Sequence, residues 1–190
     1  MAPDDRARLS DELRQLAAYA RPVDDMLGLC GFGVYLLLGA DGRLKQRGAF
    51  ANLITQTGDQ YYGERATGIA SPPNQISGMR LGTGTTTPAK TGAGAAIVTY
   101  ITASNKAIDA TFPQSSLQGA SRQIQFKTTW AAGQATANNI SEAVLTNETP
   151  LTDVAGSAAN TIARALLTPT VNKGASDTLA IIWNQQLLGA

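Results

Sequence analysis

A mainly β fold is what this chain predicts: an antiparallel β-sandwich or jelly-roll-like domain carrying an N-terminal amphipathic helix. Three observations point there. Short strand-like runs, about nine of them, follow one another between turns rich in Gly, Pro, Asn and Ser. The run Gln123-Ile124-Gln125-Phe126-Lys127-Thr128 alternates polar with apolar residues, as a strand with one wet and one buried face does. The connections between runs lack the helix-length periodic segments that parallel crossovers require.

Residues 4 to 20 read as the amphipathic helix. Leu9, Leu13, Leu16, Ala17 and Ala20 recur at helical spacing, with Arg6, Asp11, Glu12, Arg14 and Gln15 on the other face. Asp4 and Asp5 supply an N-cap and favourable first-turn charge. Arg21-Pro22 ends the helix, because the residue before proline is pushed out of the helical region. The stripe suits packing on the chain's own domain or docking on a neighbouring subunit. Residues 1–30 are thus read as a helical arm and residues 31–190 as the β-sandwich domain.

Past Gly31 the period changes to that of strands. Gly33 to Leu38 reads as a buried strand, Asp41-Gly42 as a hairpin turn, and Leu44 to Phe50 as the returning strand. Thr57 to Tyr62 reads as a short helix with Tyr61 and Tyr62 tucked against the sheet, and Ser71-Pro72-Pro73-Asn74 as a rigid loop. Further strands are expected at Ile76–Leu81, Ala95–Thr102, Ala107–Thr111, Gln123–Ala131, Ile140–Thr146, Ile162–Leu167 and Thr178–Leu187. The expected core is Val34, Leu36, Leu81, Ile97, Ile124, Phe126, Trp130, Ile140, Leu166, Ile181 and Trp183. Burying each large member contributes roughly 1.5–3 kcal/mol.

Composition narrows the function. Among 190 residues there is no histidine, so the commonest general base and metal ligand is missing. The net charge of +1 gives no electrostatic case for nucleic acid. Charged residues make up 15%, a low density that suits a protein packed among neighbours. A single cysteine, Cys30, rules out an intrachain disulfide and fits synthesis in a reducing compartment. Met1 to Ser10 is charged where a signal peptide would be apolar, and the run Val34 to Leu38 is too short to span a bilayer. No membrane partner is expected.

Candidate chemistry is sparse. Gly31-Phe32-Gly33, Gly82-Thr83-Gly84 and Gly92-Ala93-Gly94 each begin a phosphate-loop pattern and none completes it, so they read as turn residues and no cofactor is expected. Asp109, Glu142, Glu148 and Asp153 are the acids from which a glycosidase pair would be drawn. Asp153, Asn147 and Glu148 could offer oxygens to a divalent cation, but no loop spacing for one is present, and no metal site is expected. Ser104, Lys106, Lys127 and Ser141 contain no Ser-x-x-Lys. Trp130, Trp183, Tyr35, Tyr61, Tyr62 and Tyr100 would serve a sugar-stacking surface only if exposed, and their strand positions favour the core. The Gly82–Pro88 loop, expected to be flexible through to Gly94, offers the hydroxyls of Thr83, Thr85 and Thr86 with no base nearby in sequence. Together with Leu9, Leu13 and Leu16 of the arm, these threonines are the expected interaction residues.

The order of several short motifs completes the reading. Asn52-Leu53-Ile54-Thr55 leads to Met79-Arg80-Leu81-Gly82-Thr83-Gly84-Thr85-Thr86, then Phe126 to Trp130 with Ala131-Ala132-Gly133-Gln134-Ala135. Asn139-Ile140-Ser141-Glu142-Ala143 follows, and then Ala163-Arg164-Ala165-Leu166 with Pro169, Val171, Lys173 and Asp177-Thr178-Leu179-Ala180-Ile181-Ile182-Trp183. Across residues 31–188 this set resembles small structural proteins of tailed-bacteriophage virions, found on tails, necks and head appendages. The chain lacks the glycine of that family's Glu-Val/Ile-Gly-Leu step, having Glu142-Ala143-Val144-Leu145. The resemblance implies an assembled, non-enzymatic virion β-domain, made in the host cytoplasm; low charge density, the Gly82–Gly94 loop and the amphipathic arm suit a subunit that completes its burial against neighbours, and multiple copies in the tail or head–tail region are expected. Its partners would be other copies of itself and other virion proteins. Capsid decoration (cement) or a head-fibre role is the alternative, and a glycan-binding receptor module a more distant one.

Overall fold

A computed structural model describes residues 28–188. The expected helix over residues 4–20, with Leu9, Leu13 and Leu16, lies outside the described residues. Among the described residues, nine strands and one α-helix follow in order: β1 (Gly28–Leu38), β2 (Leu44–Ile54), α1 (Gln56–Thr67), β3 (Gly78–Gly82), β4 (Lys106–Ala107), β5 (Gln114–Gln118), β6 (Ser121–Trp130), β7 (Ala137–Thr146), β8 (Thr161–Lys173) and β9 (Thr178–Leu188). The fold is mainly β, and every strand pair is antiparallel.

The strands form a single sheet in the order β4-β3-β7-β8-β2-β1-β9-β6-β5. It curls until β4 and the residues after it meet β6. The Asp109 amide donates to the Lys127 carbonyl at 2.8 Å, and the Asp109 carboxylate accepts from the Thr129 amide at 3.1 Å and its hydroxyl at 2.7 Å. One curled sheet thus stands where two stacked sheets were expected. The first and last strands pair along their full length, Gly28 with Leu188 through Leu38 with Thr178. β1 therefore starts at Gly28, inside the segment read from sequence as the arm.

Alternation places Tyr35 and Leu37 of β1, Met79 and Leu81 of β3, Ala143 and Leu145 of β7, and Leu179, Ile181 and Trp183 of β9 in one core with Phe50, Phe126 and Trp130. Phe50 meets Trp183 edge to face, ring centres 5.2 Å apart. Val34, Leu36, Leu81, Ile97, Phe126, Trp130, Ile140, Ile181 and Trp183 are buried as expected, while Ile124 and Leu166 are only half-buried.

Helix α1 extends further than its sequence signal. Thr55 caps it by accepting from the Gly58 amide at 3.0 Å, and Gly68 closes it at φ +69°. Tyr61 and Tyr62 pack edge-on at 4.9 Å, half-buried, on a helix that lies against β8 and β2. Two expected strands are not strands. Ala107–Thr111 is strand only at Ala107, the second residue of β4, and Ala95–Thr102 is a loop that continues from a short 3-10 turn, Gly92–Ala95.

Candidate functional site

The outer face of β3, β7 and β8 carries charge into the interior. Val144 faces Arg80 on one side and Arg164 on the other, and Glu142 stands one step along, opposite Gly82 and Leu166. Glu142, Arg164 and Arg80 are almost wholly inaccessible. Burying such groups costs several kcal/mol per ion, and Arg80 Nε finds no partner; the cost is best offset where every lone pair and proton is engaged.

Glu142 meets that condition through a loop. Its Oε2 accepts from Arg164 Nη2 at 2.6 Å and Nε at 3.1 Å. Its Oε1 accepts from the backbone amides of Gly84 at 2.9 Å, Val98 at 3.1 Å and Thr99 at 2.8 Å. Arg164 Nη1 then donates to the Thr86 carbonyl at 2.7 Å, and the Ser141 hydroxyl donates to the Gly84 carbonyl at 2.9 Å. One ion pair thus fixes a loop from both sides.

This explains why Ala95–Thr102 is not a strand. The amides of Val98 and Thr99, which a ladder would use, are taken by a carboxylate from β7. It also assigns Gly82 and Gly84 a role other than turning. A Cβ on either would fall 2.4 or 2.5 Å from Glu142 Oε1, so only glycine lets the loop approach the buried carboxylate.

A second buried cation anchors the loop between β7 and β8. Arg80 pairs with Glu148, donates from Nη1 to Thr146 Oγ1 at 3.2 Å, and from Nη2 to the Thr152 carbonyl at 3.1 Å. Burial pulls its guanidinium pKa down, and the neighbouring Tyr100 and Asp153 push it back up. Asp153 accepts from the Tyr100 hydroxyl and from the Ala103 amide at 2.7 Å, and these two bonds hold its carboxyl below the usual carboxylate range. Tyr100 in turn has its pKa raised, first by burial and then by Asp153.

The expected interaction residues divide accordingly. Thr85 and Thr86 are exposed, carried on a loop that Arg164 bonds at the Thr86 carbonyl. Thr83 is half-buried, its amide donating to the Thr99 carbonyl at 2.8 Å. Leu9, Leu13 and Leu16 lie outside the described residues. The loop is also tied to α1, where Lys90 bridges Asp59 at 2.6 Å and the Gln56 amide donates to the Lys90 carbonyl at 3.0 Å.

Each of the candidate catalytic groups is engaged by a neighbour, and Glu148 and Asp153 both lie beside Arg80. Glu142 is buried within the staple, Glu148 faces Arg80, Asp153 faces Tyr100, and Asp109 closes the sheet against Thr129. Ser104 both accepts from the Leu81 amide and donates to its carbonyl, and Lys106 reaches Gln134 at 2.9 Å. Lys127 lies 3.8 Å from Asp109, and Ser141 belongs to the staple. Asn147 bonds the Asn74 carbonyl, and among the described residues no group of three or more acidic or cysteine side chains is placed to hold a metal ion. Trp130 and Trp183 are in the core, as is Tyr35, whose hydroxyl donates to the Pro169 carbonyl at 2.7 Å.

Sequence reasoning missed the staple itself. Its signal was present: Met79-Arg80-Leu81 and Ala163-Arg164-Ala165 each put a cation between residues that face the core. A strand with both faces covered must find an acid for such a cation: Arg164 finds Glu142 on the neighbouring β7, and Arg80 finds Glu148 in the loop beyond it. Compared with protein-family models, curated proteins and solved structures, the chain finds no match.

Proposed function

We propose that this protein is a non-enzymatic structural subunit of a tailed-bacteriophage virion, assembling as multiple copies in the tail or head–tail region through contacts with itself and other virion proteins. The observation that carries the reading is the pinned loop. A five-bond carboxylate and a wholly buried arginine hold a Gly/Thr/Ala segment in one shape, and its tip presents exposed threonines with no titratable partner. Such a surface suits docking by shape and backbone groups, because a rigid loop loses little conformational entropy when it is covered. The ordered likeness over residues 31–188 favours the virion as the place of docking.

The occupied acids support the non-enzymatic part. A glycosidase needs two reachable carboxyls flanking its bond, and Glu142 is inaccessible. Incubation with purified peptidoglycan and polysaccharides is expected to give no turnover; turnover lost in Glu142→Gln or Asp109→Asn would overturn the assignment. The assembly part is tested by deleting residues 1–22. The β-domain is expected to stay folded while incorporation into particles is lost. A truncated chain incorporated at normal copy number removes the arm as the dock.

A further inference from the structure

Nearly every free edge of this sheet is guarded, and one is not. β4 is two residues long, and the chain beyond it folds onto β6. β2 bonds β8 only over Asn52–Ile54, so the seam beyond Ala51 is open backbone, but it carries Lys45 and Arg47. On the β8 side of that seam stands Pro169, and Gln46 Nε2 occupies the gap with bonds to Tyr35 at 3.0 Å and to the Thr170 carbonyl at 2.9 Å. Charges, proline and plugging side chains are the devices by which sheets prevent edge-to-edge pairing.

β5 has none of them. Among the described residues it is the last strand in the order, bonded to β6 on one side only, and all five of its residues are exposed. Its sequence, Gln114-Ser115-Ser116-Leu117-Gln118, contains no charge, proline, glycine or bulge. Leu117 is 64% exposed, and across β6 the same face shows Arg122 and then Leu187, 43% exposed.

We propose that β5 pairs antiparallel with β5 of a second copy of this chain, centred on Ser116. The strand is its own complement in that register. Gln114 meets Gln118 at both ends, Ser115 meets Leu117, and Ser116 meets itself. The two Leu117 side chains then lie diagonally on one face, close enough to cover each other. No like charges are opposed. A charged peptide or an anionic surface has nothing on this strand to recognise, whereas an identical uncharged strand satisfies its free backbone groups and its apolar side chain together. The result is one continuous sheet through two subunits. This rests on the reading of the protein as an assembling subunit, although it is measured without any particle.

Sedimentation and light scattering of the purified full chain over a wide concentration range are the first test. A dimer is expected, and Leu117→Lys, which sets two cations side by side at the seam, should weaken it by about a hundredfold or more. Because Leu117 is exposed, the circular dichroism spectrum of that variant should match the wild type, and its melting midpoint, unlike that of the wild type, should not rise with protein concentration. A wild-type chain that stays monomeric, or a Leu117→Lys chain that dimerises as tightly, overturns the proposal. Register is tested by Ser116→Cys under copper–phenanthroline oxidation, with peptide mapping to separate the new thiol from Cys30. A link from position 116 to position 116 is expected, and a dimer lacking it overturns the pairing. Copy number of the wild-type chain in purified particles, set beside its oligomeric state in solution, keeps the two readings apart. Monomeric protein that is abundant in particles refutes the edge and spares the subunit; a dimer absent from particles does the reverse.

Discussion

The two halves of the sheet are held by different means. In β3, β7 and β8 the outer face is ionic: Arg80, Glu142 and Arg164 are buried beneath two loops and bond to their backbones. In β1, β9 and β6 the polar groups are amides. Gln123 and Gln125 both donate to Asn184 Oδ1, at 3.0 and 2.9 Å, and charge is confined to partly exposed positions. The contacts of the first half tie loops to strands, Gly84 to Glu142 and Thr86 to Arg164, whereas those of the second join strand to strand. A charge can organise many donors at once, so ions sit where loops must be fixed to the sheet. Amides suffice where strands already bond each other.

The largest way to break the comparison is to unbalance the ionic half. Arg164→Ala leaves Glu142 buried without its cation and should cost about 3–5 kcal/mol in chemical denaturation. The double variant Glu142→Leu with Arg164→Met separates an ion pair from a staple. A plain ion pair replaced by apolar residues of similar size is often neutral. Here the amides of Gly84, Val98 and Thr99 lose their acceptor, so the double variant should remain destabilised, by about 1–3 kcal/mol for each amide that stays buried. Near-wild-type stability in the double variant contradicts the staple.

In the amide half the sign reverses. Gln185 is buried with both its side-chain oxygen and nitrogen unpartnered, one strand from Asn52, whose amide is also unpartnered, with Gly31 in register between them. Gln185→Met removes an orphan amide at similar volume and should stabilise by about 1 kcal/mol, read as a higher denaturation midpoint at unchanged slope. Destabilisation by that variant would show that Gln185 has a partner in solution.

Acid sharpens the comparison with one carboxylate beside the ionic half and one in the turn that joins the two halves. Asp177 is held below the usual range first by Lys45, at 2.8 Å, and then by the Gly174 amide; Asp153 is held down by Tyr100 and Ala103. A carboxyl whose folded pKa is depressed stabilises above its unfolded pKa of about 3.9, and that stabilisation fades as pH falls through the folded value. Stability should therefore drop as pH falls below about 4. Asp177→Asn and Asp153→Asn should each flatten the acid limb while leaving its neutral plateau lower. An acid limb unchanged in both variants removes these groups as its cause.

The smallest effect is expected at the surface. The bridge from Lys90 to Asp59 is about half exposed at both ends, so Lys90→Ala should change stability by about 0–1 kcal/mol and lose even that at high salt. Thr85→Ala and Thr86→Ala should leave stability within about 0.5 kcal/mol while reducing assembly. Loss of folding in either would make these threonines structural.

Much of the β scaffold was legible because alternation is a local signal. Phe126 and Trp130 on β6, and Ile181 and Trp183 on β9, are buried where their spacing places them. The hairpin of β1 and β2 follows from Asp41-Gly42, with Gly42 at φ +75°. What was not legible depends on distant partners. The β-branched pair Ile97-Val98 looks like part of a strand until Glu142 takes the amides of Val98 and Thr99. β5 escaped notice because Gln-Ser-Ser-Leu-Gln has little strand propensity and becomes a strand through its pairing with β6. The curl into one sheet depends on Asp109 meeting Thr129, a contact no local pattern announces.

The central claim is tested most directly on the assembled particle, by counting this chain in washed virions and comparing its amide hydrogen exchange there with that of the free protein. Multiple copies per particle are predicted, with the backbone at Thr85–Thr87 and along β5 protected only after assembly. Absence of the chain from washed particles, or equal exchange of both segments in the two states, would contradict it.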